Sequence, residues 1–166
     1  LIKDYLISKY SIDEKKLYAT GQSMGGMMAI VMNFKYPDLF AASYLVACQW
    51  NEKEVTPMAK NNLWIMISTG DEKAYPGMNT ITSELIKRGA TVARDTWKAD
   101  YTNEQFLEGT RKVIAQKSNI KYTTLEKGTN PYLSKDANSG SEHSGTWKIA
   151  YSISGIKDWI FSQAKQ

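Results

Sequence analysis

The stretch from Leu17 to Pro37 constrains the fold more than any other part of the chain. A short β-type run, Leu17-Tyr18-Ala19-Thr20, passes directly into the glycine-bearing turn Gly21-Gln22-Ser23-Met24-Gly25-Gly26. A helix then fits Met24 to Tyr36 and is stopped by Pro37-Asp38. Met27, Met28, Ala29, Ile30, Val31 and Met32 make this helix apolar almost all round, which predicts a buried helix with its methionines as core filling. Strand, tight turn and buried helix in immediate succession are the start of a layered α/β arrangement.

Two further runs, Ala42 to Cys48 and Leu63 to Thr69, are continuously apolar and of strand length. That is the pattern of parallel strands covered on both faces, so a mostly parallel sheet with helices on both sides is expected. Val92 to Trp97 reads as another strand, and Ile120 to Glu126 as one of alternating character. Helices are expected over Leu1 to Tyr10, Met78 to Arg88 with Gly89 as its stop, Asn103 to Gln116, and Ile156 to Gln163. Tyr75-Pro76 reads either as the wall of a pocket or as a turn leading into the helix at Gly77 or Met78. The polar, Gly/Ser/Asn-rich stretch Lys127 to Ser144 is expected to be the longest loop, and a long loop in a small domain is more often functional than accidental. No internal repeat or low-complexity linker divides the chain, and 166 residues accommodate a single domain over 1–166. The chain opens inside a helix, so its true N-terminus is expected further upstream.

Composition narrows the partners. With 42% hydrophobic and 23% charged residues the chain is ordinary globular material, not a disordered or fibrous one. Its 21 basic and 17 acidic side chains are scattered without a run of like charge or an aromatic-basic motif, which argues against nucleic acid. The longest apolar runs fall short of the roughly 20 residues that span a bilayer, so no membrane partner is expected. The single Cys48 forms no internal disulfide and reads as a buried small hydrophobe. One histidine without clustered cysteine or carboxylate ligands is a poor transition-metal site, so neither metal nor organic cofactor is expected.

Gly21-Gln22-Ser23-Met24-Gly25 fits the Gly-x-Ser-x-Gly elbow, which lifts a serine onto a strained strand-to-helix turn. Such a pentapeptide arises by chance in roughly one chain of this size in twenty. The strand before it and the helix after it therefore carry much of the weight. Glycine on either side of the serine is expected because side chains there would clash in the tight turn. A serine hydroxyl needs a base to take its proton, and His143 is the only histidine available. The imidazole needs an acid to orient it; Asp71, which follows the Leu63 to Thr69 strand through Gly70, would emerge at the same sheet edge as Ser23. Glu72, Asp136 and Glu142 are the competing acids. The backbone N–H of Met24 is a candidate oxyanion donor. Gln22 and Trp147 are candidate substrate-binding residues, although Trp147 and Tyr151, one helical turn apart, also have the spacing of core aromatics.

The chain order Ser23, Asp71, His143 is that of the α/β-hydrolases. Leu17 to Gly26 (LYATGQSMGG), Gly70 to Met78 (GDEKAYPGM), Ile120 to Gly128 (IKYTTLEKG) and His143 to Gln163 (HSGTWKIAYSISGIKDWIFSQ) resemble the C-terminal half of that fold. The resemblance is narrower to the poly(3-hydroxybutyrate) depolymerase-like esterases, also described as predicted peptidases. It rests on His143-x3-Trp147-x2-Ala150-Tyr151 and the closing Asp158-Trp159-Ile160-Phe161. It implies serine-dependent hydrolysis of a small or polymeric carboxylic ester through an acyl-enzyme, with Ser23 as nucleophile, His143 as base and Asp71 as its orienter. It is compatible with secretion or a cell-envelope location. The same resemblance implies that the N-terminal strands and the loop bearing the second oxyanion donor lie outside this chain, on an N-terminal chain or segment. A serine peptidase of the same fold, or an inactive fragment needing that partner, are the alternatives.

Overall fold

A five-stranded sheet organises the computed structural model, which describes residues 2–165. Its strands are β1 (Tyr18–Gln22), β2 (Ala42–Val46), β3 (Leu63–Ser68), β4 (Val92–Trp97) and β5 (Ile120–Leu125). They lie in the order β1-β2-β3-β5-β4, and every neighbouring pair is parallel. The helices are α1 (Ile2–Lys9), α2 (Met24–Lys35), α3 (Ala74–Lys87), α4 (Asn103–Ala115), α5 (Ser139–Ala150) and α6 (Ser154–Ser162). This is part of an α/β-hydrolase fold, with helices on both faces of a parallel sheet. The first residue of the expected helix Leu1 to Tyr10 lies outside the described residues.

Alternation along the strands divides the core in two. Leu45, Ile65, Ile67 and Tyr122 face Ile30 of α2 and Met78, Ile81 and Leu85 of α3. Tyr44, Trp64, Met66 and Leu125 face Phe106 and Val113 of α4, Ile149 of α5, and Ile156 and Trp159 of α6. Several polar tips inside these layers find partners, as burial favours. Trp64 Nε1–H donates to Thr123 Oγ1 at 3.0 Å, and the Tyr44 hydroxyl donates to the Ala150 carbonyl at 3.0 Å. Every residue of β2, β3 and β5 is buried, whereas β1 has one fully buried residue, Ala19.

Several sequence expectations need correction. The α2 helix is not buried all round: Met24, Met28 and Met32 point outward, and the sheet-facing residues are Gly26, Ala29, Ile30 and Asn33. Asn33 is a buried polar residue that joins α2 to Ser43 and Asn61 by hydrogen bonds. The α3 helix begins at Ala74, earlier than expected, so Tyr75 and Pro76 sit in its first turn, where a missing N–H costs nothing. The β5 strand is buried on both faces rather than alternating. Even Lys121 is inside: its ammonium lies over the Trp159 ring and donates to the Ser118 carbonyl.

The largest correction concerns Lys127 to Ser144, whose last part is helical. Asn138 accepts the Ser141 N–H at 2.9 Å and caps α5, which starts at Ser139, so His143 stands on a helix and not in a loop.

Candidate active site

Ser23 stands at the junction of β1 and α2 with φ 50° and ψ −119°, a conformation that an L side chain rarely adopts. Such strain costs about 1–3 kcal/mol and is kept only where the surroundings enforce it. Here the Ser23 N–H donates to the Val46 carbonyl at 2.9 Å, and the Ser23 carbonyl accepts the Met27 N–H at 2.9 Å. The glycines contribute unequally. A Cβ on Gly21 would lie 2.2 Å from the Gly25 carbonyl carbon, and one on Gly26 would lie 2.6 Å from Cys48 Sγ. A Cβ on Gly25 meets nothing within 4 Å, so the steric demand falls on Gly21 and Gly26 rather than on both flanks of the motif.

His143, in the second turn of α5, spans the gap between Ser23 and Asp71. Its Nε2 is 2.8 Å from Ser23 Oγ and its Nδ1 is 2.5 Å from Asp71 Oδ2. A carboxylate can only accept, so Nδ1 carries the hydrogen and Nε2 presents its lone pair to the serine hydroxyl. The Asp71 side chain is 2% exposed and that of His143 is 29% exposed, which leaves the imidazole within reach of a ligand and its acid out of water. Asp71 is further fixed through its other oxygen, which accepts the Ala74 N–H at 2.8 Å and the Lys73 N–H at 3.2 Å at the start of α3. Of the competing acids, Glu72 and Asp136 are exposed. Glu142 is buried, but its oxygens are bonded to Ser68 and Gly128 rather than to the imidazole.

Met24 opens α2, so its N–H is one of the first-turn donors that lack an intrahelical acceptor. From Met24 an apolar hollow of about 430 Å³ runs along the outer face of α2, lined by Met27, Met28, Val31, Met32 and Trp50 as well. Gln22 is the last residue of β1, paired with Val46 and partly buried beside Ser23. Trp147 packs edge-on to His143, with ring centroids 5.9 Å apart, and also joins the core layer of Trp64 and Trp159. Its indole N–H is enclosed without a partner among the described residues. Tyr151 is likewise partly buried against that layer, its hydroxyl 2.9 Å from Thr20 Oγ1.

Behind the elbow, Cys48 is buried against Gly26, and burial, aided by the nearby Asp71 carboxylate, pushes its thiol up to about 12. It is an inert wall of the site. Sequence reasoning did not find the supports of the His143 helix, Ser68 and Gly128, and weighed Glu142 only as an acid for the histidine. The available signal was an acidic residue in the first turn of a helix capped by Asn138.

Residues 2–83, which hold Ser23 and Asp71, match the Prolyl oligopeptidase family. Acetylxylan esterase A of Aspergillus ficuum is 55% identical over 38 residues, covering 23% of this chain and 12% of that protein. Feruloyl esterase B of Neurospora crassa is 36% identical over 63 residues, covering 35% of this chain and 22% of that protein. The crystal structure of a thermostable esterase superposes with a TM-score of 0.70 at 21% identity, covering 98% of this chain and 35% of the esterase. The chain thus spans about an eighth to a fifth of those two curated relatives and about a third of the solved structure.

Proposed function

We propose that this esterase-like α/β-hydrolase chain hydrolyses carboxylic esters through an acyl-enzyme, with Ser23 as nucleophile, His143 as base and Asp71 as the group that orients it. The reading rests above all on His143 bridging Ser23 Oγ at 2.8 Å and Asp71 Oδ2 at 2.5 Å. Ser23 Oγ attacks the ester carbonyl carbon while His143 Nε2 takes its proton, and the buried carboxylate at Nδ1 stabilises the imidazolium. The carbon–oxygen bond to the alcohol then breaks as Nε2 returns the proton to the leaving oxygen. Water attacks the acyl-Ser23 carbonyl by the same route, which releases the acid and restores the serine. The Met24 N–H serves as one oxyanion donor. The second donor belongs to polypeptide added along β1, whose only strand partner among the described residues is β2. Gln22 and Trp147 flank the reacting atoms and contact the substrate.

The substrate class is a carboxylic ester, small or polymeric, in keeping with the acetylxylan and feruloyl esterases to which segments of the chain are similar. In the protein carrying this chain, Ser23→Ala is expected to lower turnover of p-nitrophenyl acetate and butyrate by about four orders of magnitude or more. Undiminished turnover in that variant contradicts the assignment.

The match to the Prolyl oligopeptidase family favours a second reading, peptide hydrolysis by the same three residues. Kinetics on matched ester and amide substrates separate the two: amide cleavage at comparable efficiency supports the peptidase, and a large ester preference supports the esterase.

A further inference from the structure

Glu142 immediately precedes His143 in α5, and it is 2% exposed. A carboxylate taken out of water needs donors on its oxygens. Two different segments supply them. The Ser68 hydroxyl, on the last residue of β3, donates to Oε2 at 2.6 Å, and the Gly128 N–H, in the connection after β5, donates to Oε1 at 2.9 Å. The Ser68 oxygen is itself held by the Gly70 N–H at 3.1 Å. The stem of Glu142 lies against Gly70, where a Cβ would come within 2.7 Å of Glu142 Cγ. Gly128 has φ +75°, the backbone region that glycine adopts most readily.

Successive residues of a helix project about 100° apart. Glu142 and His143 nevertheless reach the same short stretch at the end of β3, Glu142 at Ser68 and His143 at Asp71. Two tethers at different angles around one helix axis fix its rotation as well as its distance from the sheet. Two further polar ties act at the ends of the helix, the Glu72 N–H to Ser139 Oγ at 2.9 Å on its first residue and the Tyr44 hydroxyl to the Ala150 carbonyl at 3.0 Å on its last. Rotation matters here because the imidazole must satisfy two partners at once, and a misplacement of about 1 Å at a reacting group can cost about 100-fold in rate.

We infer that Glu142 is a positioning residue for the base: bridging Ser68 and Gly128, it locks α5 in the rotation that holds His143 between Ser23 and Asp71. The inference rests on the proposed role of His143 and adds to it a residue that touches none of the reacting atoms.

The test uses the fact that the chain has a single histidine, so its Nδ1 proton gives one assignable downfield imidazole resonance. Asp71→Ala, which removes the acceptor, identifies that resonance by abolishing it. The wild type is expected to show it sharply, and so is Ile160→Ala, a core variant on α6 that lowers stability and leaves the Glu142 bridge in place. Glu142→Ala is expected to broaden or lose it, with kcat reduced about 10- to 100-fold and KM within about twofold. Glu142→Gln is expected to restore most of both, because its amide oxygen can still accept from Gly128 while its amide nitrogen donates to Ser68. Ser68→Ala, which removes one of the two bonds, should fall between.

A folded Glu142→Ala protein with an unchanged resonance and kcat overturns the inference. So does a Glu142→Gln protein as impaired as Glu142→Ala, since the loss then follows charge rather than the bridge. If Glu142→Ala does not fold, an unchanged resonance in both Glu142→Gln and Ser68→Ala overturns it, and a graded loss supports it. Failure of the functional reading is distinct: Ser23→Ala then keeps its turnover, while the resonance still reports whether Glu142 holds His143 against Asp71.

Discussion

At Ser23 the backbone sits at φ 50°, and the glycines around it determine whether that conformation can be closed. A Cβ added at Gly26 would fall within van der Waals distance of the Cys48 side chain, whereas one at Gly25 would meet open space in the first turn of α2. Gly26→Ala is therefore expected to destabilise the fold by about 1–3 kcal/mol, as overpacking does. Gly25→Ala is expected to be neutral or stabilising by up to about 1 kcal/mol, the helix-interior preference for alanine. Urea unfolding of the two variants decides it, and a larger loss in Gly25→Ala than in Gly26→Ala would overturn this description of the elbow. The Gly-x-Ser-x-Gly spacing was legible in the sequence because its chemistry is local. Which glycine bears the steric load was not, because the atoms that crowd Gly26 come from Cys48, after the next strand. Asp71 was legible for a similar reason, since it follows an unmistakable buried strand by one turn.

Among the elements, α5 carries the functional reading and was the hardest to see. Its sequence, SGSEHSGTWKIA, opens with serine and glycine, which weigh against helix when only local preference is counted. What makes it a helix is the Asn138 cap, the buried contacts of Gly145, Thr146 and Ile149, and the Glu142 bridge. Asn138→Ala should cost about 1 kcal/mol of stability and, because His143 is only one turn further on, reduce kcat without a matching rise in KM. Thermal melts and steady-state kinetics on the same sample check both halves; an intact kcat alongside the lost stability would show that the cap does not reach the base. The α2 helix was misread for the opposite reason. Its composition is apolar throughout, but composition reports no neighbours, and the outward methionines line a hollow rather than the sheet. β2 and β3, by contrast, were plain in the sequence, because a strand covered on both faces must be apolar at every position.

For the whole molecule, the parallel sheet and the order of the three site residues could be read from the chain, but the placement of β5 between β3 and β4 could not. That placement brings the connection leading to His143 beside the end of β3, where Asp71 stands, and no local pattern encodes it. Burial in the two layers of the core also predicts the pH response of the fold. Burial raises Tyr44, Tyr122 and Tyr151 above the usual phenol range and pushes Cys48 up to about 12 from 9.0. These groups keep their protons in the folded chain and lose them first in the unfolded one, so their contribution is complete below about pH 9 and is lost as pH rises toward 12. Lys121, lowered by burial, works in the other direction, but it is one group against four. Tm is therefore expected to fall steadily from pH 9 to 11, and Cys48→Ala should flatten part of that fall; a Tm that is level or rising over that range contradicts it.

The central claim, that Ser23 is a nucleophile activated by His143, is tested most directly by intact mass before and after a fluorophosphonate probe, with the modified residue mapped. The account predicts a single adduct on Ser23, absent in Ser23→Ala and formed far more slowly in His143→Ala. A folded protein that takes no adduct on Ser23, or takes it equally fast without the histidine, contradicts it.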